Sequence, residues 1–343
     1  MNHSNRSEEP LSILQYRPQA QARVPVTAVF QAKYPAIDAH NHFVSGLDVE
    51  RVVEHMDACN IRTFVDLSGG NGDQLKRRLD MLKGRHPARF AVFFVPDFKR
   101  IGERCFSESV VCELEQAAGL GVQGVKVYKE LGLSVRDKDG TLVHVNDPRL
   151  WPIWQTAGEL GLPVLMHIAD PWAYFAPLDE RNERYIQLYR DPARHFYGAD
   201  YPSLQQLLEE RDEVIERHPA TQFIGAHIGS QAEDLAAAAA VLNRYPNYTV
   251  DFSARVAELG RKPRQAREFC IKYQDRILFG TDGLDDPGMY RSYFRFLETA
   301  DECMEYYMYP NHGFFTISGI DLPDEVLRKV YAANACRIIP HLR

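Results

Sequence analysis

The chain of 343 residues lacks the features that mark several specialised classes of protein. No apolar run approaches the roughly 18–20 residues that a membrane-spanning helix needs, and the first residues contain no apolar segment typical of a secretion signal. Its 40 Lys and Arg and 47 Asp and Glu give a net charge of −7, without a basic block. We therefore expect a cytoplasmic protein that binds neither nucleic acid nor membranes.

Cysteine is also scarce, because only six occur and no two of them form a CxxC motif. In a chain of this size they predict reduced thiols and no disulfide framework. Apolar residues make up 45% of the chain and charged residues 25%. This composition is ordinary for a globular protein and excludes a disordered chain, a collagen and a coiled coil.

Eight short apolar runs, rich in β-branched and aromatic residues, recur along the chain. They lie at 36–43, 61–68, 90–97, 124–129, 162–170, 222–229, 247–253 and 276–283. Most lack strict alternation, as expected for parallel strands that are covered on both faces. Several of the intervening segments have the spacing of amphipathic helices, at 49–60, 72–87, 203–219 and 232–246. The repeat of about 30 residues favours a (β/α)8 barrel.

We therefore predict an α/β protein with a distorted (β/α)8 TIM barrel over residues 34–343. Residues 1–33 are expected to form an N-terminal extension with one short strand near Val24–Phe30. The gap between the fifth and sixth runs is about twice the usual length, so residues 171–201 are predicted to form a loop insertion that covers or binds a ligand. An open doubly wound sheet fits less well, since the sequence has no glycine-rich phosphate loop.

The sequence His40-Asn41-His42 ends the first predicted strand. Residues two apart on a strand share a face, so both imidazoles can reach one ion. Imidazole binds Zn, Fe and Ni, and such an ion activates water near neutral pH. An HxH pair alone is a weak signal, but active sites of (β/α)8 barrels lie at this end of the strands.

Three further groups lie near the ends of other predicted strands, namely His167, His227 and Asp282. A single buried histidine is more often a hydrogen-bonded core residue, and a TDG sequence alone indicates a turn. Four histidines and one aspartate at four strand ends together predict a metal site.

This pattern resembles the amidohydrolase superfamily. The segments PAIDAHNHF and RILFGTDG are most similar to the branch with aminocarboxymuconate-semialdehyde decarboxylase, resorcylate-type decarboxylases and small lactone hydrolases, and the similarity extends from Pro35 to Arg337. It implies one or two divalent metals, zinc first, with Mn, Fe or Co as alternatives. It also implies that His40, His42, His167 and Asp282 bind the first metal. His227 would bind a second metal or act as an acid/base and polarising residue.

The fourth run contains Lys126 and Lys129. The sequence Lys126-Val-Tyr resembles the segment around the carbamylated lysine that bridges two metals in dihydroorotases and hydantoinases, which the decarboxylase branch usually lacks. Lys126 could instead form a salt bridge with a carboxylate or bind a substrate carboxylate as a point charge. Lys129 is expected on the opposite strand face or in the following loop.

Candidate substrate contacts come from the loops. Arg255 follows the seventh run and could bind a carboxylate bidentately, while a surface ion pair is the alternative. The same alternative is favoured for Glu258 and Arg261. Trp172 and Tyr174 could close over an apolar substrate or pack against another subunit.

Two further predictions concern acidic residues near these groups. Asp170 could orient a metal ligand, and Asp285 and Asp286 are expected to begin a loop or cap a helix.

These observations predict a metal-dependent hydrolase that cleaves a C–O or C–N bond in a lactone, ester or amide of a small, carboxylate-bearing molecule by metal-activated water. Asp282 would take the proton of that water and pass it to the leaving group, and His227 would steady the oxyanion. Non-oxidative decarboxylation of an unsaturated or aromatic acid is an alternative, and a non-catalytic barrel that binds metal or ligand is another. We also expect a homo-oligomer.

Overall fold

A computed structural model describes residues 11–342, apart from positions 45, 284 and 285. Eight parallel strands follow one another in the order of the chain and pair each with the next. They are β1 Ala36–Asn41, β2 Ile61–Asp66, β3 Phe90–Phe94, β4 Gly124–Val127, β5 Val164–Met166, β6 Phe223–Gly225, β7 Tyr248–Asp251 and β8 Ile277–Leu278. Hydrogen bonds from Ala39 N to Phe279 O (2.9 Å) and from Asp282 N to His40 O (2.8 Å) close the barrel. The predicted (β/α)8 barrel is confirmed.

Helices alternate with these strands and cover the barrel. They are α1 Val49–Ala58, α2 Gly72–Lys83, α3 Phe106–Gly119, α4 Glu130–Leu133, α5 Trp151–Glu159, α6 Tyr185–Arg190, α7 Leu204–Arg217, α8 Ala226–Ser230, α9 Leu235–Arg244, α10 Val256–Gly260, α11 Pro263–Lys272, α12 Pro287–Glu298, α13 Asp324–Arg328 and α14 Asn334–Ile338. Short 3₁₀ turns lie at Phe98–Arg100, Pro148–Leu150, Trp172–Phe175 and Pro192–Arg194, and a π turn at Lys329–Ala333. None of the described helices is long and apolar enough to cross a membrane.

The helix α1 illustrates how the sequence forms these elements. The Asp48 side chain caps it by accepting hydrogen bonds from the backbone N–H groups of its first turn, a contact typically worth about 1 kcal/mol. Val49, Val52 and Met56 recur at helical spacing and are buried. Each buried side chain of this size contributes about 1.5–3 kcal/mol, so the apolar stripe outweighs the cap in holding α1 against the barrel.

The hydrophobic core has two layers. One lies between the strands and the surrounding helices. The other groups side chains from most of the strands with the C-terminal helix α14, and Ile37, Val65, Phe93 and Leu165 belong to it. Side chains therefore fill the barrel, which leaves the carboxyl ends of the strands as the place for polar groups.

Two predicted segments differ from expectation. Val24–Phe30 is not a strand, because its hydrogen bonds go to side chains of the barrel: Thr27 N donates to Asp301 Oδ2 at 2.8 Å. The insertion after β5 is more ordered than a loop, since it contains α6 and two 3₁₀ turns.

Candidate metal and active site

His40 lies fully buried at the end of β1, where the pairing of β1 with β2 is irregular between Asp38 and Asn41. Its Nδ1 is 2.9 Å from Asp251 Oδ2 at the end of β7. A carboxylate only accepts, so Nδ1 carries the proton and the lone pair of Nε2 faces the centre of the barrel mouth. This carboxylate–histidine arrangement is the one that orients metal-binding histidines.

Asp282 follows β8 and brings its carboxylate to three imidazoles. Its Oδ1 is 3.2 Å from His42 Nε2 and 3.9 Å from His40 Nε2, and its Oδ2 is 3.8 Å from His227 Nε2. Burial alone would raise the pKa of Asp282, but the hydrogen bond from His42 and the nearby positive charges hold that pKa well below its usual range. Asp282 therefore stays ionised and can act as a ligand.

The conformation of Asp282 is also unusual, with a φ of 56°. A left-handed backbone at a residue other than glycine costs roughly 1–3 kcal/mol and persists where the surroundings impose it. In this conformation the carboxylate of Asp282 lies beside His40, His42 and His227.

His227 lies in α8, a single turn in which three successive residues have left-handed dihedrals. Its Nδ1 is 2.7 Å from the carbonyl oxygen of Ser253, so Nδ1 must carry the proton. Burial and the charge of Arg255 lower the pKa of His227 well below its ordinary value. The ring is consequently neutral, and its Nε2 offers a lone pair toward Asp282.

His42 and His167 complete the histidine cluster in different ways. His42 Nδ1 is 2.8 Å from Ser68 Oγ, which leaves Nε2 facing Asp282. The ring of His167 lies 4.4 Å from that of His227, but its Nε2 is 3.6 Å from Asp170 Oδ1 and has no hydrogen-bond partner among the described residues. His167 thus borders the cluster, and its role as a ligand stays a prediction.

Two lysines stand beside these groups. Lys126 is fully buried, with its Nζ 3.4 Å from His40 Nε2. Among the described residues Lys126 forms no ion pair with a carboxylate, so the salt bridge that the sequence left as an alternative is not seen, although the charges of Asp282 and Asp251 both raise its pKa. Burial lowers the pKa of Lys126 to about 8. Lys129 begins the turn after β4 and pairs with Asp170, which agrees with its expected place in the loop.

A metal fits these donors best at one place. The ligand atoms of His40, His42 and Asp282 lie within 4.8 Å of one another, as do those of His40, His227 and Asp251. In the second group the carboxylate already accepts hydrogen bonds from His40 Nδ1, from the backbone N–H of His227 and from Ser253. The first group is therefore the better match to the nitrogen and oxygen donors that divalent transition metals prefer.

Comparison with known proteins agrees with this architecture. The model of a family described as amidohydrolase matches residues 37–340. This chain belongs to the amidohydrolase family. It is accordingly an enzyme of that family, and the predicted family resemblance is confirmed. No curated protein sequence matches it.

Solved structures similar to this amidohydrolase share its fold at low sequence identity. A 2,6-dihydroxybenzoate decarboxylase from Rhizobium is 17% identical over 89% of this chain and 98% of that chain, with a TM-score of 0.56. A dihydroxybenzoic acid decarboxylase from Polaromonas sp. JS666, with bound manganese and the inhibitor 2-nitroresorcinol, is 16% identical over 89% and 96%, with a TM-score of 0.59. A 4-oxalomesaconate hydratase from Rhodopseudomonas palustris is 13% identical over 89% and 95%, with a TM-score of 0.52.

The predicted substrate contacts of this amidohydrolase lie at different depths. Arg255 is buried at the start of α10, where its Nη1 donates to Ala254 O at 2.8 Å. Tyr174 is also buried, whereas Trp172 is 44% exposed. Trp172 lines a cavity of about 550 Å³ together with Glu233 and other residues. Of these three residues, Arg255 is the one whose charge helps to lower the pKa of His227.

Three predictions about acidic and basic side chains near the mouth have different outcomes. Glu258 does not form a surface ion pair, because it is buried against Arg184. Arg261 does form the expected pair, with Glu183. Asp286 caps α12, and Asp285 lies outside the described residues.

Sequence reasoning missed Asp251 and Arg184. The first had a usable signal, because Asp251 ends the seventh strand much as Asp282 follows the eighth. Arg184 had none, since its partner Glu258 lies 74 residues away in the chain.

Proposed function

We propose that this amidohydrolase is a metal-dependent hydrolase that cleaves a C–O or C–N bond in a lactone, ester or amide of a small, carboxylate-bearing molecule. The observation that carries this proposal is the ionised Asp282 carboxylate, which lies between the Nε2 atoms of His40, His42 and His227. One of its oxygens can bind a metal while the other remains free to accept a proton.

His40, His42 and Asp282 would hold the metal, with His167 and His227 as further ligands. Zinc is our first choice, and manganese, iron and cobalt suit the same donors. A divalent ion in this position would polarise a substrate carbonyl and lower the pKa of water. Asp282 then accepts the proton of the attacking water and delivers it to the leaving group.

The hydrogen bonds of His227 limit what it can do. Because its Nδ1–H donates to Ser253 O and the ring is neutral, Nε2 has no proton to donate. The expected role in steadying an oxyanion does not fit this tautomer, so we assign His227 to metal binding or proton acceptance.

Lys126 is the better group for negative charge. With a pKa of about 8, it remains mostly protonated at pH 7. As an ammonium it would attract a substrate carboxylate or an oxyanion. Its lowered pKa also increases the fraction of free amine that carbamylation requires. A mass spectrum of the intact protein would reveal the added carbon dioxide.

Non-oxidative decarboxylation is the second candidate. Protonating a carbon requires a proton donor, and the Lys126 ammonium is one that lies against His40. The decarboxylases among the structures of similar fold agree with this alternative without deciding it.

A substrate screen tests both candidates. Protein loaded with zinc or manganese is assayed on lactones and esters by proton release, on amides by release of the amine, and on aromatic and unsaturated acids by carbon dioxide release. If the protein is a hydrolase, only the lactones, esters or amides are turned over, and His42→Ala and Asp282→Asn each abolish that activity. The control His144→Ala removes a half-exposed histidine on Glu210 and keeps full activity. Carbon dioxide release alone would replace our proposal with decarboxylation.

A further inference from the structure

A second group of buried polar side chains lies where the insertion after β5 meets α10. Arg184, in the insertion, is only 1% exposed, and its Nη2 pairs with Glu258 Oε1. Its Nε and Nη1 have no hydrogen-bond partner within the described part of the chain. A buried guanidinium with unmet donors has lost its water partners without gaining others, which costs stability.

Neighbouring side chains have unmet hydrogen bonds as well. Among the described residues, Arg255 Nη2, Tyr306 Oη, His312 Nδ1 and Glu258 Oε2 also lack partners. Burial, followed by the charges of Arg184 and Arg255, lowers the pKa of His312 to about 2. The rings of Tyr306 and His312 lie 5.8 Å apart, and Glu258, the partner of Arg184, lies in the helix that Arg255 begins. These unmet groups therefore share one region.

This region is adjacent to the proposed metal site. Arg255 follows Ser253 by two residues, and the carbonyl oxygen of Ser253 is 2.7 Å from His227 Nδ1. Tyr307 Oη is 3.4 Å from Tyr293 Oη, which donates to the carbonyl oxygen of Thr281, next to Asp282, at 3.0 Å. Because Tyr306 precedes Tyr307 in the chain, the unmet groups begin close to the proposed metal site.

The unmet groups are mostly donors. The two arginines contribute N–H groups, whereas Glu258 Oε2 is the one carboxylate oxygen among them. Glu258 balances one arginine charge. Glu233 also lies near Arg255, but burial and the charge of Glu258 raise its pKa, and neither arginine forms an ion pair with it in the described structure. Such a donor-rich region matches the two oxygens of a carboxylate.

We propose that Arg184 and Arg255, assisted by Tyr306, bind a carboxylate of the substrate that is separate from the reacting bond. The substrate would then carry its reacting group near Asp282 and an unreacting carboxylate at the other end. For a decarboxylase the same pocket would require a dicarboxylic acid. This inference rests on the proposed function for the identity of the ligand as substrate.

The test is calorimetric titration of the metal-free chain of 343 residues with glutarate and with its neutral diamide. We expect glutarate to bind and the diamide not to bind. Arg255→Gln and Arg184→Lys should each weaken glutarate binding at least tenfold. The lysine variant keeps a cation for Glu258 but loses the guanidinium fork. Arg190→Gln, which changes an arginine of α6 that pairs with Asn311, should bind like the wild type.

Two controls keep the outcome clear. Thermal unfolding identifies a variant that fails to fold, and Tyr306→Phe then replaces Arg184→Lys as the second test. Equal glutarate affinity in wild type and Arg255→Gln, or no binding to either, would overturn the pocket. Loss of binding in folded Arg255→Gln supports it even if the screen detects no hydrolysis, because titration without metal does not depend on turnover.

Discussion

Replacing Asp251 with Asn should weaken metal binding although Asp251 is not among the proposed ligands. The two oxygens of Asp251 accept from His40 Nδ1, from the backbone N–H groups of His227 and Ser253, and from the Ser253 hydroxyl. An amide has one acceptor oxygen and one donor nitrogen. In one orientation its N–H₂ opposes the backbone donors. In the other it faces His40 and favours the tautomer whose Nε2 carries a proton.

The expected loss of metal affinity follows from the two orientations that the Asn side chain can take. A protonated Nε2 cannot bind a metal, and removing such an orienting partner typically lowers metal affinity 10–100-fold. That range corresponds to about 1.4–2.7 kcal/mol of binding free energy. We expect the larger value, because His40 is fully buried and depends on groups of the protein for the partner of its Nδ1.

Competition with a chromophoric chelator measures zinc and manganese affinity in Asp251→Asn. Glu210→Gln is the matched control, because Glu210 is another buried carboxylate that accepts from a histidine, His144 Nδ1, at 2.7 Å. That variant should retain wild-type affinity. Wild-type metal affinity in folded Asp251→Asn would refute the reasoning about the His40 tautomer.

Three other perturbations have defined outcomes. Asp282→Asn should abolish turnover and reduce metal content while leaving the melting temperature of the metal-free protein within a few degrees; full activity would remove Asp282 from the mechanism. Arg184→Met should lower the free energy of unfolding in urea by about 3–5 kcal/mol, because it leaves the Glu258 carboxylate buried without its partner. The double variant Arg184→Met/Glu258→Gln should recover part of that loss. No recovery would contradict the pairing of the two residues. His312 has a folded pKa of about 2 against roughly 6.5 when unfolded, so the unfolded chain binds more protons below pH 6.5 and stability falls on acidification. Between pH 6.5 and 5 the wild type should lose up to about 2 kcal/mol more than His312→Phe, and parallel pH profiles would count against a neutral, buried His312.

The barrel and most of the histidine cluster could be predicted from sequence for one physical reason. The carboxyl ends of parallel strands meet at one end of a barrel, so polar residues such as His40 and Asp282 that end apolar runs must come close together. Asp251 ends β7 at the same rim, so its place beside His40 also follows from the strand order.

Other features depend on contacts that no local pattern encodes. The side chain of Arg184 is fixed by Glu258, which is distant in the chain. Val24–Phe30 has the composition of a strand but bonds to side chains such as Asp301. The proton position on His227 follows from the Ser253 carbonyl, which only the fold brings within reach.

A crystal structure of the metal-loaded protein, with anomalous scattering at the metal edge, would locate the ion. We expect it to be bound by the Nε2 atoms of His40 and His42 and by a carboxylate oxygen of Asp282. A fully loaded protein whose ion lies elsewhere, with these three side chains unligated, would contradict this expectation.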